Sequence, residues 1–212
     1  MSETPAALER RIIKRLHPLD TTAGQPGGSD FDLNPHLRSP RAQLVDAAVL
    51  VPIVLRPTGP TVLFTRRADT LTKHSGQVSF PGGRCDPGET AVETALREAE
   101  EEIALAPRHV RPLALADAYE TVTAYRIAPV LAFVDPGAAL RAAPDEVAEI
   151  FEAPWAWLMD PANQVLHMRE ADAALPRRRW YALDWEGRNI WGATAGMLRG
   201  LWRRLYDEPP PA

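Results

Sequence analysis

One cysteine, Cys85, among 212 residues leaves nothing from which to build an internal disulfide framework, and this usage fits a reducing compartment. Basic residues are not in excess: 24 Lys and Arg face 28 Asp and Glu, a formal net charge of -4. General binding of nucleic acid or of an anionic membrane needs a basic footprint, so both partner classes are set aside. No apolar run approaches the ~20 residues of a membrane span. The opening stretch MSETPAALERRIIKRLH also lacks the apolar core of a secretory signal, and a cytoplasmic protein is expected. His17, His36, His109 and His167 are scattered without ligand spacing, so no zinc site is expected. Cys85 has no positioned histidine, and a thiol nucleophile is not expected either.

What is present reads as one globular domain, 45% hydrophobic and 25% charged. Leu8, Ile12 and Leu16 fall four apart among basic residues, predicting an amphipathic helix docked on the main body. Residues 18 to 41 are rich in Pro, Gly, Asp and Ser without apolar period and read as a linker or loose arm. AAVLVPIVL (47 to 55) predicts a buried strand, with Pro52 arguing for an edge or a bulge. PTGP then turns the chain into TVLFTRR, completing a hairpin. Two further strands follow, VRPLALADAYE and TAYRIAPVLAFV, joined near Thr121. EVAEIFEAP leads to a short helical PWAWLMD, and RRWYALDW with RNIW forms another hairpin around Glu186-Gly187. Leu198, Leu201, Trp202 and Leu205 mark a final helix. All six tryptophans lie between Trp155 and Trp202, available for core and interface packing or for ligand stacking. The chain thus divides into an N-terminal helix and flexible linker (1–42), a main domain (43–207) and a disordered tail (208–212).

The acidic charge is concentrated. Seven acids fall between Asp86 and Glu102, with Arg97 the one basic residue among them. Gly82-Gly83 and Pro87-Gly88 mark a loop, and Thr90 with Glu93 predicts the capping box that starts a helix. At about 100° per residue, Val92, Ala95, Leu96, Ala99 and Ile103 share one arc. Glu98 and Glu102 sit one turn apart beside that arc, with Glu101 next to them, while Glu93, Arg97 and Glu100 point away. Like charges at this spacing cost about 0.2–0.5 kcal/mol per pair on an exposed helix and more when desolvated. The bland reading is a solvated glutamate-rich face. The sharper one is a cradle for a hard divalent cation, to which a bare glycine loop would add a backbone carbonyl such as that of Gly82.

The segment PGGRCDPGETAVETALREAEEEIAL resembles the Nudix box, G-x5-E-x7-R-E-U-x-E-E-x-G-U with U aliphatic. Gly83, Glu89, Arg97, Glu98, Glu101 and Glu102 match, with Ala99 and Leu105 at aliphatic positions. Ala104 departs from the last glycine, so the helix is expected to end differently. The resemblance implies an α/β/α sandwich with a mixed sheet, here carrying an N-terminal helical extension. It also implies a hydrolase that cleaves a nucleoside diphosphate linked to another moiety. Carried over by position, Glu98 and Glu102 are metal ligands, and Glu101 is a further ligand or the base that activates water. Arg97 pairs with a carboxylate, Glu89 by expectation, and Mg²⁺ or Mn²⁺ assists in-line attack of water on phosphorus. Glu146 and Glu120 are candidates for an additional acid from outside the box, though each also suits ordinary surface.

Upstream, LFTRRADTLTKHSGQVSFPGG (63 to 83) resembles the signature of the coenzyme A pyrophosphatase branch, near LLTxRSxxLxxHxGQVxFPGG. Thr65, Arg67, Leu71, His74, Gly76, Gln77, Val78, Phe80 and Pro81 match, and Ala68 departs. IWGATAGML (190 to 198) resembles the end of the same branch. Taken alone, Lys73 and His74 read as surface. With Arg66 and Arg67 they make a basic stretch entering the acidic site, and Gln77 follows. These five are the candidate substrate-binding residues, suited to a substrate carrying a phosphate beyond the cleaved pair. The expected substrate is coenzyme A or a derivative. ADP-ribose, a dinucleotide or a nucleotide sugar is the alternative, and a non-catalytic nucleotide-binding module a third possibility of another class. A homodimer through the tryptophan-rich C-terminal region is compatible with the sequence.

Overall fold

The computed structural model describes residues 3–21, 26–39, 43–69, 76–172 and 175–207. Thr4 accepts from the Ala7 N–H to open α1 (Pro5–Arg15), with Pro5 at the first position, where no N–H is needed. The expected apolar stripe is the docked one: Leu8 and Ile12 are fully buried and Leu16 nearly so. Next come β1 (Pro26–Ser29) and α2 (Asp30–Leu33). The hairpin β2 (Val45–Arg56) and β3 (Gly59–Arg67) follows, then the short β4 (Val78–Ser79) and β5 (Gly82–Arg84). Helix α3 (Ala91–Ile103) leads to β6 (Val110–Leu115), β7 (Ala118–Glu120), β8 (Tyr125–Val134) and β9 (Val147–Pro154). The chain ends with α4 (Trp155–Leu158), β10 (Val165–Arg169), β11 (Arg178–Trp185), β12 (Arg188–Trp191) and α5 (Ala193–Trp202).

A mixed sheet in the order β1-β7-β8-β2-β3-β4 forms the middle layer, with β5 paired to β2, β6 to β8 and β9 to β3. β2 runs parallel to β8 from Val45↔Tyr125 to Val54↔Val134 and is buried on both faces, which is why it reads as an unbroken apolar run. Its even-numbered residues Ala48, Leu50 and Val54 meet Ala95, Ala99 and Ile103 of α3. Its odd-numbered residues Val49, Val51 and Ile53 face the other core, with Leu8 and Ile12 of α1 and Leu198 and Leu201 of α5. The result is the expected α/β/α sandwich with a mixed sheet. No helix among the described residues is long and apolar enough to cross a membrane.

Two readings of the sequence are corrected. Pro52 sits in an interior strand, not an edge: β5 pairs with β2 as far as Val49 and β3 begins at Ile53. The Leu50 N–H, pointing the same way, reaches the Pro81 carbonyl at 2.8 Å, so the missing proline donor falls in the gap between two ladders. The supposed linker is also structured over 26–39. β1 adds to the sheet beside β7, and Asp30 is buried, accepting from the Tyr119 hydroxyl at 2.9 Å and the Val122 N–H at 3.0 Å. Glycines 27 and 28 allow this approach; a Cβ on Gly27 would meet the Asp117 side chain at 2.3 Å. The tail 208–212 lies outside the described residues.

Candidate active site

The site is built where β5 leaves the sheet and α3 returns over it. Gly82 and Gly83 pair with Val49 and Ala48, and neither position has room for a side chain. A Cβ on Gly82 would lie 2.4 Å from the Ala48 carbonyl oxygen, and one on Gly83 would lie 2.4 Å from Glu98 Oε1. Thr90 and Glu93 exchange the reciprocal capping bonds read from the sequence, at 3.2 and 2.8 Å. At the other end α3 stops at Ala104 in the left-handed region, φ 55° and ψ 26°. The alanine therefore does what a glycine would do, contrary to the expectation of a different ending.

Arg97 bends back rather than pointing away. Its guanidinium grips Glu89 through Nε at 2.8 Å and Nη2 at 3.0 Å, reaches Glu98 at 2.9 Å and Glu101 at 3.2 Å, and donates to the Arg84 carbonyl at 3.2 Å. Glu89 also accepts from the Thr94 hydroxyl at 2.7 Å and the Asp86 N–H at 3.0 Å. Arg97 above all, with these donors, pulls the Glu89 carboxyl down to about 2.

Glu102 is only 5% exposed and accepts from the Gly82 N–H at 3.3 Å. Burial pushes this carboxyl up to about 8, the Glu98 and Glu146 charges reinforcing the rise and the Gly82 N–H and Arg67 opposing it. Glu98 is likewise raised by burial, against the pull of Arg97. Glu101 keeps 60% of its side chain exposed and leans on Arg97. Among the described residues no three acidic, histidine or cysteine side chains converge as a ready-made metal cluster. Arg97 bonds Glu98 and Glu101, whereas Glu102 accepts from the Gly82 N–H. The donor chemistry nonetheless fits a hard divalent cation: all-oxygen, with Glu102 withdrawn from water and Glu98 filling the space that a side chain on Gly83 would take.

The candidate substrate residues separate. Arg67 lies on the α3 side of β3, where its charge favours ionised Glu102, and its buried Nε has no hydrogen-bond partner among the described residues. Its N–H donates to the Gln77 carbonyl at 3.0 Å. Arg66 turns to the other side, to Asp69 at 3.0 Å and Glu149 at 3.5 Å, so its charge is already balanced. Lys73 and His74 fall outside the described residues. Of the two outside acids, Glu146 acts on both Glu98 and Glu102, carried there by the loop whose Ala143 N–H meets the Glu102 carbonyl at 2.8 Å. Glu120 instead pairs with Arg38 at 3.1 Å. Sequence reading missed the Thr94 hydroxyl and the Arg84 carbonyl as supports, because neither residue type signals such a role. A cavity of about 730 Å³ reaches Arg84, Cys85 and Glu89 on the far side of this loop, away from Glu98 and Glu102.

A buried and a half-buried carboxylate one turn apart, a close-fitting glycine loop and a guanidinium-locked acid together suit the binding of a hard divalent cation, as in a metal-assisted hydrolase. The NUDIX domain profile matches residues 45–184, and the chain belongs to the Nudix family of hydrolases, which generally use Mg²⁺ or Mn²⁺. It is 38% identical over 182 residues to the "Uncharacterized Nudix hydrolase NudL" of Pectobacterium atrosepticum, covering 84% of this chain and 92% of that protein. The protein of the same name from Escherichia coli K12 is 38% identical over 187 residues, covering 84% and 91%. Among solved structures, DR0079 from Deinococcus radiodurans is a remote likeness, 18% identical with a TM-score of 0.47, covering 79% of this chain and 88% of that one.

Proposed function

We propose that this Nudix hydrolase cleaves the diphosphate bond of coenzyme A or its derivatives, giving 3′,5′-ADP and 4′-phosphopantetheine or its acyl form. The observation that carries the reading is that the described parts of the 63–83 segment, which resembles the coenzyme A branch, border the carboxylates. Its Arg67 faces Glu102, and Gln77 is bound to the Arg67 backbone. Glu98, Glu102 and Glu101, with the Gly82 carbonyl, would hold Mg²⁺ or Mn²⁺. The cation supplies neutralisation of the diphosphate oxygens. Arg97 and Glu89 act on position: their paired bonds fix the loop against α3, so that Glu98 stays against Gly83. Arg67, half-buried, offers its guanidinium to the phosphoryl oxygens facing Glu102. A carboxylate oxygen of Glu101 or Glu146 takes the proton from the attacking water as the phosphorus–oxygen anhydride bond breaks.

One observation favours a second reading, a Nudix hydrolase of ADP-ribose or another nucleoside diphosphate derivative. Arg66 is balanced by Glu149 and Asp69, leaving less free positive charge for an extra phosphate than the bare sequence suggests. Product analysis across coenzyme A, acetyl-coenzyme A, ADP-ribose and diadenosine polyphosphates separates the two. The first reading predicts preference for the coenzyme A forms; brisk ADP-ribose hydrolysis with coenzyme A intact contradicts it.

A further inference from the structure

The second sheet ends on β10, where Val165, Leu166 and Met168 stand 51%, 49% and 52% exposed. Among the described residues β10 is paired with β11 alone, so its outer edge presents backbone donors and acceptors to solvent. Proteins that keep such an edge solitary shorten it, bulge it or set Lys or Pro on it. β10 has neither residue type, and its register with β11 is unbroken from Val165↔Ala182 to Arg169↔Arg178. Other edges of the molecule follow the protective pattern: β4 has 2 residues, and β1 has 4 with a register shift.

We propose that β10 is a dimerisation edge, pairing antiparallel with β10 of a second copy about a two-fold axis through His167. The strand is self-complementary in that register. Leu166 falls opposite Met168 of the second copy on one face, twice over by symmetry. On the other face Val165 falls opposite Arg169, and the two His167 rings meet at the axis, each stacked on its own Trp180 at 5.9 Å. Charge selects this arrangement: the two Arg169 residues end about 13 Å apart along the ladder, whereas parallel pairing would set them directly against each other. Two three-stranded sheets become one continuous sheet with an isologous interface.

Sedimentation of the full chain tests the proposal. The expected result is a concentration-dependent shift from the 23.4 kDa monomer to twice that mass in the micromolar range. Leu166→Lys and Met168→Lys should each abolish the shift, leaving turnover unchanged because both side chains are exposed on β10, and leaving the melting curve unchanged at dilutions where the wild type is monomeric. Register is tested by oxidative cross-linking in a Cys85→Ser background. His167→Cys should cross-link, since directly opposed residues have Cα atoms about 4.5–5.5 Å apart, within disulfide reach. Val165→Cys should not. A wild type that stays monomeric, a dimer that survives both lysine variants, or equal cross-linking at 165 and 167 would each overturn the proposal.

Discussion

Arg97 holds Glu89 with two hydrogen bonds, 2.8 and 3.0 Å, joining the middle of α3 to the loop that precedes it. The bond has a pH signature. The Glu89 carboxyl falls from 4.5 to about 2, so the protein gains stability from it above the unfolded value and loses that gain as pH drops toward 2. A Glu89→Gln variant should melt below the wild type by a constant margin from pH 5 to 8. The margin should shrink between about pH 4.5 and 2. Calorimetric scans across that range check it; a margin independent of pH would show that the ion pair adds nothing.

Glu102 gives the opposite sign. Its carboxyl is raised to about 8, so in metal-free protein the folded state holds a proton that the unfolded state releases near pH 4.3. Stability therefore drains away as pH rises from about 4.5 to 8. Glu102→Gln should become progressively more stable than the wild type across that window and level off above it, as melting curves with a chelator would show. With Mg²⁺ the same variant, like Glu98→Gln, should turn over at least about ten-fold more slowly. Near-normal rates would remove both residues from the metal site.

The two glycines of the loop should fail in different ways. Gly83→Ala drives a methyl into the Glu98 carboxylate, a movable group, so the protein should fold while activity drops by about ten-fold or more. Gly82→Ala meets the Ala48 backbone, which cannot yield, and should lower the melting temperature markedly. Equal loss of stability in the two variants would contradict this division.

Ala104 holds a left-handed conformation that costs an L-residue about 1–2 kcal/mol. Its N–H closes on the Ala99 and Glu100 carbonyls, and Leu105 N–H adds a bond to Ala99 at 3.3 Å. Ala104→Gly should stabilise the protein by about 0.5–1 kcal/mol, after allowing for the added freedom of glycine in the unfolded chain. Denaturant titration measures it; no gain would mean that the alanine is unstrained.

What the sequence revealed follows from where side chains carry the signal. The capping box, the Ala95, Ala99 and Ile103 part of the predicted arc of α3, and the β2–β3 hairpin were legible because period and turn chemistry specify them, while Val92 and Leu96 of that arc are only half-buried. The arm over 26–39 was not, since Gly27 and Gly28 join the sheet through backbone bonds and close approach, which leave no apolar period. β10 escaped notice because a strand exposed on both faces has no alternation to read. In the site, the spacing of the acids was plain from the chain alone. The separation of Arg66 from Arg67 depended on strand alternation, and the choice of Glu146 over Glu120 on a loop returning to α3.

The most direct measurement is the product spectrum from purified protein incubated with coenzyme A and Mg²⁺ or Mn²⁺, resolved by chromatography and mass spectrometry. Equimolar 3′,5′-ADP and 4′-phosphopantetheine are predicted, with ADP-ribose the poorer substrate. Intact coenzyme A beside rapid cleavage of ADP-ribose would contradict the assignment.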